Sequence, residues 1–182
     1  MKQKYLSRNA LLGVLLLTFA ASVASADGFS IGVSAARADT GFKDDATTIS
    51  GDSAGYRVFG SYMFNSKFGI EGGLSKYGSP DDKSLASNMH VDTESYDLYA
   101  VYVHPLSSNF GLVSKAGVTN WDTETEVSDE NAGHYKNTGL ALSFGGQYDF
   151  NQRYGVRGEV EWFDSVVSGS MKFSLSGVFR FD

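Results

Sequence analysis

Leu140-Ala141-Leu142-Ser143-Phe144-Gly145-Gly146-Gln147-Tyr148-Asp149-Phe150, then Asn151-Gln152-Arg153, then Tyr154-Gly155-Val156-Arg157-Gly158-Glu159-Val160-Glu161-Trp162 is the stretch whose reading decides the fold. Leu140, Leu142, Phe144, Tyr148 and Phe150 alternate with Ala141, Ser143 and Gly145. After the polar turn, Tyr154, Val156, Val160 and Trp162 alternate with Arg157, Glu159 and Glu161. A period of two puts successive side chains on opposite faces of a strand. Two such runs of about ten residues, joined by a short turn rich in Asn, form a β-hairpin. One face of this hairpin is bulky and apolar; the other is narrow and carries the charges.

The same pattern recurs on both sides. Phe29, Ile31, Val33 and Ala35 make one apolar face. Tyr56, Val58, Gly60, Tyr62 and Phe64 make the next, followed by Phe68, Ile70, Gly72 and Leu74, then Tyr96, Leu98, Ala100 and Tyr102. Phe110, Leu112, Ala116 and Val118 precede the quoted hairpin, and Met171, Phe173, Leu175, Phe179 and Phe181 follow it. That gives eight strands. The links Asn65-Ser66-Lys67, Pro105 to Asn109 and Asn151-Gln152-Arg153 are short, whereas Ala38 to Ser53, Ser79 to Thr93 and Trp121 to Asn137 read as long polar loops. Short and long links in alternation predict an up-and-down antiparallel meander with one tight end and one elaborate end.

The composition fits and excludes other classes. The chain has 182 residues, no Cys, 2 Pro, 21 Gly and 14% aromatic side chains. A disulfide framework or thiolate metal site is impossible, and a collagenous or Pro-rich chain is ruled out. A net charge of -6 argues against nucleic acid as a partner. Residues 1–26 read as a cleaved signal peptide: Lys2, Lys4 and Arg8 precede an apolar run from Ala10 to Ala21, and Ala24-Ser25-Ala26 is a small-x-small site before Asp27. The run is too short for a membrane-spanning helix, which needs ~20 residues. Residues 27–182 are then one β-barrel domain. Removing three positive charges from a chain of net charge -6 leaves about -9.

Alternation alone fits either a membrane barrel or a soluble, lipocalin-like barrel, and volume decides between them. Eight strands enclose a space just wide enough to be filled by side chains. The bulky face would overfill it, while Gly69, Gly73, Gly111, Gly117, Gly139, Ala141, Ser143, Gly145, Gly155, Ser174 and Ser176 suit a narrow interior. The aromatics therefore face lipid. Tyr62, Phe64, Phe68, Tyr102, Phe110, Tyr148, Phe150, Tyr154, Phe179 and Phe181 cluster toward the short-turn end, and Tyr56, Tyr96 and Trp162 toward the other, as membrane girdles do. The fold class is an all-β, eight-stranded antiparallel up-and-down transmembrane β-barrel.

Ten charged residues fall on the inner face: Arg57, Glu71, Asp97, Lys115, Asp149, Arg157, Glu159, Glu161, Lys172 and Arg180, five of each sign. Charges held away from water have to be paired. Arg57, Glu71, Asp97, Lys115, Arg157, Glu159 and Glu161 are the expected ion-pair network, centred on Arg57, Glu71, Lys115 and Glu159 or Glu161. The competing reading is a charged pore lining.

From Asp27 onward the chain resembles the OmpA-type transmembrane barrel and its small relatives of the Gram-negative outer membrane. The specific pieces are Tyr96-Asp97-Leu98-Tyr99-Ala100-Val101-Tyr102-Val103-His104-Pro105-Leu106 running into Phe110 to Gly117, and the last strand with Phe173, Leu175, Gly177, Phe179 and Phe181. The resemblance implies Sec export to the outer membrane, contact with its lipid and lipopolysaccharide, and recognition of the last strand by the barrel-assembly machinery. Such chains usually end on the aromatic, whereas Asp182 follows Phe181 here. The resemblance stops at the barrel and includes no peptidoglycan-binding domain.

Enzymatic signals are weak. Some small barrels of this membrane are lipid A deacylases with a His-x-Ser pair, but Tyr135-Lys136 follows His134; His90 and His104 read as solvated histidines. The palmitoyltransferase barrels begin with an amphipathic helix, and here the first strand starts at once. Asp44-Asp45, Asp81-Asp82 and Asp129-Glu130 lack the spacing and Gly of an EF-hand loop. No enzyme, cofactor or metal is expected. The leading expectation is a structural, surface-presenting barrel with a plugged polar lumen and acidic extracellular loops open to a protein partner. The alternatives are a narrow or gated pore for ions or small solutes, or a loop-mediated adhesin.

Overall fold

The computed structural model describes residues 28–44, 47–78, 89–127, 130–163 and 170–181; the signal-peptide segment lies outside them. Eight strands follow in chain order: β1 (Phe29–Asp44), β2 (Thr47–Met63), β3 (Phe68–Tyr77), β4 (Met89–Pro105), β5 (Phe110–Val127), β6 (Glu130–Asp149), β7 (Tyr154–Phe163) and β8 (Ser170–Arg180). Every pairing is antiparallel between sequence neighbours, and β1 closes the barrel on β8. Among the described residues there is no helix.

The stagger of the closed sheet follows from its register. Cross-strand partners lead from Phe29 through Tyr62, Ile70, Ala100, Ala116, Leu142, Trp162 and Met171 back to Asp39, ten residues further along β1. Ten residues at ~3.3 Å each, set against eight strands ~4.8 Å apart, give a tilt of about 40° and a backbone radius of about 8 Å. Each residue then climbs the barrel axis by about 2.5 Å. Only side chains fit inside such a cylinder, and the inward positions supply them.

Short turns close one end by a shared device. Asn65 Oδ1 accepts from the amides of Lys67 and Phe68, both at 2.9 Å, and Asn151 Oδ1 accepts from those of Arg153 and Tyr154, both at 2.8 Å. Ser107 Oγ does the same for Asn109 and Phe110 in the third turn. These side chains satisfy the amides that a tight reversal leaves without a strand partner.

Outside, the wall is apolar. Val33, Leu98, Leu142, Phe144, Phe173 and Leu175 are each more than half exposed, which on a water-facing surface would be a large unpaid hydrophobic area. Tyr62, Phe64, Phe68, Phe110, Tyr148, Phe150 and Tyr154 ring the short-turn end in exposed positions, and Trp162 stands in the upper ring with Tyr56 and Tyr96. Tyr102, Phe179 and Phe181 are half-buried because they stack on neighbours: Tyr102 on Phe68 at 5.1 Å, Phe179 on Tyr154 at 5.3 Å and on Phe181 at 5.0 Å. Counting the stagger, Tyr96 lies about nine residues above Phe110, so the apolar exterior is about 22 Å tall, close to the ~25 Å band of outer-membrane barrels.

The loops expected between long links are in large part strand. The β1–β2 ladder continues to Asp44 opposite Thr47, and the β5–β6 ladder to Val127 opposite Glu130. His90 and His134 accordingly lie in β4 and β6, not in loops. Above the apolar band both faces of a strand meet water. Alternation therefore disappears from the sequence while the ladder continues, and only β-formers such as Thr47, Thr48, Ile49, Thr123, Thr125 and Val127 still mark it.

Candidate functional site: the plugged lumen and the long hairpins

Three layers fill the barrel from the short-turn end upward. The first is a vestibule of about 660 Å3 open at that end, lined by Ser30, Ser61, Met63, Val101, Gln147, Asp149, Arg157 and Arg180 among others. Arg180 Nη2 pairs with Asp149 Oδ1 at 2.7 Å, and Gln147 Nε2 donates to the same oxygen at 3.0 Å. Gln147 Oε1 accepts from Arg157 Nε at 2.9 Å and so ties the vestibule to the layer above.

The middle layer is ionic. Glu71, on β3, is fully buried and collects four donors: Arg57 Nη1 and Lys115 Nζ at 2.9 Å on Oε1, Arg157 Nη1 at 2.6 Å and Ser61 Oγ at 2.9 Å on Oε2. Arg57 (β2) grips Asp97 (β4) with Nε at 2.8 Å and a second bond from Nη2. Lys115 (β5) also pairs with Glu159 (β7) at 2.8 Å, and Ser143 Oγ donates to that carboxylate at 3.2 Å. Three cations and three carboxylates thus neutralise one another with their hydrogen-bonding capacity directed inward, the condition under which buried charge is tolerated. Since β3 and β7 are four strands apart in an eight-stranded ring, the Glu71–Arg157 bond crosses the full lumen.

Glu161 stands apart from this network. It pairs with Lys172 at 2.6 Å, directly across the β7–β8 ladder, so of the two acids expected beside Glu71 it is Glu159 that joins. The reason is axial position, because Glu161 lies one turn of the pleat higher, level with Lys172.

The upper layer is aromatic. Trp121 stacks against Phe163 at 4.6 Å and Tyr77 at 5.7 Å, and Ala36 and Ala38 cluster with Tyr77 and Trp121. An interior of small residues and charges was expected, yet Phe59, Tyr77, Tyr99 and Phe163 are all buried inside. Glycines on neighbouring strands make the room: a Cβ on Gly32 would collide with the Phe59 ring, and one on Gly73 with the Arg57 guanidinium. Phe59 in turn lies under Arg57 and Arg157, 4.8 and 5.3 Å from its centroid, and Tyr99 under Lys115 at 5.0 Å. These rings supply an attractive face to the cations without needing a charge. Phe59 and Tyr99 escaped the sequence reading even though parity placed them: each lies two residues from a charge on the inner face, Arg57 or Asp97.

His104 is exposed at the short-turn end of β4, 6.5 Å from the Tyr102 ring. Asp45, Asp81, Asp82 and Asp129 lie outside the described residues.

A closed antiparallel barrel with an apolar belt outside and a charge-filled interior defines the class of transmembrane β-barrels. The particular family follows from the sequence match: residues 10–173 fit the outer membrane protein beta-barrel domain, and the chain belongs to that family. Solved structures share the fold at low identity. Neisserial surface protein A superposes with a TM-score of 0.69 at 14% identity, covering 85% of this chain and 98% of that one. Ail, the attachment invasion locus protein of Yersinia pestis, gives 0.61 at 17%, covering 85% and 99%. The N-terminal β-barrel domain of Pseudomonas aeruginosa OprF gives 0.55 at 16%, covering 82% and 96%. Ail has also been solved in complex with the heparin analogue sucrose octasulfate. No curated protein matches the chain. The family and these neighbours are outer-membrane barrels.

Proposed function

We propose that this protein is a surface-presenting scaffold of the Gram-negative outer membrane, exported by residues 1–26 as a cleaved signal peptide, with a lumen closed by the Glu71 network. The Glu71 carboxylate, held at once by β2, β5 and β7 across the barrel axis, carries the reading. An ion moving through would have to break bonds to a fully buried, fully coordinated group, and the stacked Trp121, Phe163 and Tyr77 stand in series with it. The aromatic rings act as membrane girdles, the last strand serves assembly, and lipopolysaccharide surrounds the upper ring. Binding is the work of the long hairpins, with the barrel as their anchor. No catalytic group is assigned.

The vestibule of about 660 Å3 favours a second reading, a gated pore, because it leads from the short-turn end inward to Arg157 of the ionic layer. Planar-bilayer recording of the refolded chain separates the two. A folded protein that gives no conductance steps supports the scaffold. Reproducible small openings, altered by Glu71→Ala and Lys115→Ala, would make it a pore with those residues as its constriction.

A further inference from the structure

The vestibule at the short-turn end has two unlike walls. Met63 stands on β2 and Val101 and Val103 on β4, whereas Gln147 and Asp149 stand on β6, Arg157 on β7 and Arg180 on β8. In a closed ring of eight strands β2 faces β6 and β4 faces β8, so an apolar wall looks across about 660 Å3 at a polar one. The apolar side is continuous with the packed interior, because Met63 and Val103 lie against the buried cluster that holds Tyr99, Val101 and Val113. A cavity of this size, apolar with a few convergent polar groups, is the usual form of a small-molecule site.

The polar wall is one hydrogen-bonded chain with donors to spare. Arg157 is only 5% exposed and gives Nε to Gln147 and Nη1 to Glu71, which leaves Nη2 without a bond among the described residues. Gln147 passes the chain to Asp149 Oδ1, which also takes Nη2 of Arg180; Nε and Nη1 of Arg180 are unbonded among the described residues as well. Against these donors the chain offers one unused carboxylate oxygen, Oδ2 of Asp149. The charged residues of the lining are Arg157, Arg180 and Asp149, two positive and one negative. A buried guanidinium with an unfilled position calls for an acceptor. A planar carboxylate matches the guanidinium fork, and Asp149 disfavours a second negative charge on the same ligand.

We propose that the vestibule binds a small amphipathic monoanion. Its carboxylate sits on the polar wall beside Arg157 and Arg180, and a compact apolar body joined to it covers Met63, Val101 and Val103. The ligand enters from the short-turn side, away from the long hairpins, so the site is independent of what the hairpins bind and of whether the ionic layer above it conducts.

The test is methyl NMR of the chain refolded in nanodiscs of zwitterionic lipid, with labelled methionine. Met63 lines the vestibule, and Met171 stands exposed on the lipid face as the internal control. Benzoate is the probe, with benzyltrimethylammonium, benzyl alcohol and acetate as comparisons. Benzoate should shift the Met63 signal saturably and leave Met171 in place, while each comparison compound should need at least about ten times the concentration. Asp149→Asn removes the acid of the lining and should tighten benzoate about threefold or more, a gain that misfolding does not produce, and Arg180→Gln should weaken it about tenfold. A Met63 response as strong to the ammonium or the alcohol as to benzoate overturns the anion, and one as strong to acetate overturns the apolar body. Met63 and Met171 moving together would mean partition into the bilayer, and a Met63 signal that stays put in a folded barrel would mean no site; either overturns the proposal.

Discussion

Glu71 shows how much a single residue can hold. Its carboxylate is fully buried and bonded by three cations and a serine, so removing it leaves Arg57, Lys115 and Arg157, all buried themselves, short of a partner. Stripping one member from a buried ionic cluster costs about 3 to 5 kcal/mol. Glu71→Ala should lose that much in urea titrations of the chain folded in lipid vesicles, and an unchanged midpoint would show the network to be ornamental. Glycine carries the complementary role. Gly32 lies under the Phe59 ring with no room for a side chain, whereas Gly60 faces outward with its nearest neighbour 3.6 Å from a built Cβ. Gly32→Leu should therefore cost ~1 to 3 kcal/mol by overpacking, while Gly60→Leu, which adds apolar surface to the lipid face, should be neutral in the same titration.

Strands and turns are the next scale. On β1, Val33 sits near mid-height of the apolar exterior and is 62% exposed. Val33→Arg should destabilise by ~2 to 4 kcal/mol, the cost of a cation on the lipid face near the midplane. The same substitution at neighbouring Ser34, which faces the filled interior, tests overpacking instead. Asn151 caps two amides of the turn between β6 and β7, so Asn151→Ala should slow refolding into vesicles or cost about 1 kcal/mol. Wherever a strand divides lipid from lumen, its sequence is legible, because Leu140 to Trp162 alternates without ambiguity. The upper parts of β1, β2, β5 and β6 are not legible this way. Water on both faces removes the chemical contrast that creates the alternation, although the hydrogen-bonded ladder needs none.

At the scale of the whole molecule two layers lie in series in the lumen, one of ions and one of rings, and the proposed scaffold needs both to be shut. Neither Glu71→Ala alone nor Trp121→Ala with Phe163→Ala should conduct in planar bilayers, whereas the three substitutions together should. Openings from Glu71→Ala alone would mean the aromatic layer does not seal. The sequence by itself determined the barrel, its strand number, which face meets lipid and which ten charges turn inward, because each of these is a matter of local parity and side-chain size. Only the tertiary structure decided which charges meet. Glu71 reaches Arg157 because a ten-residue stagger around eight strands sets β3 and β7 at matching heights on opposite walls. The same stagger lifts Glu161 out of the network and onto Lys172. Register is a property of the closed sheet, and no stretch of chain read alone contains it.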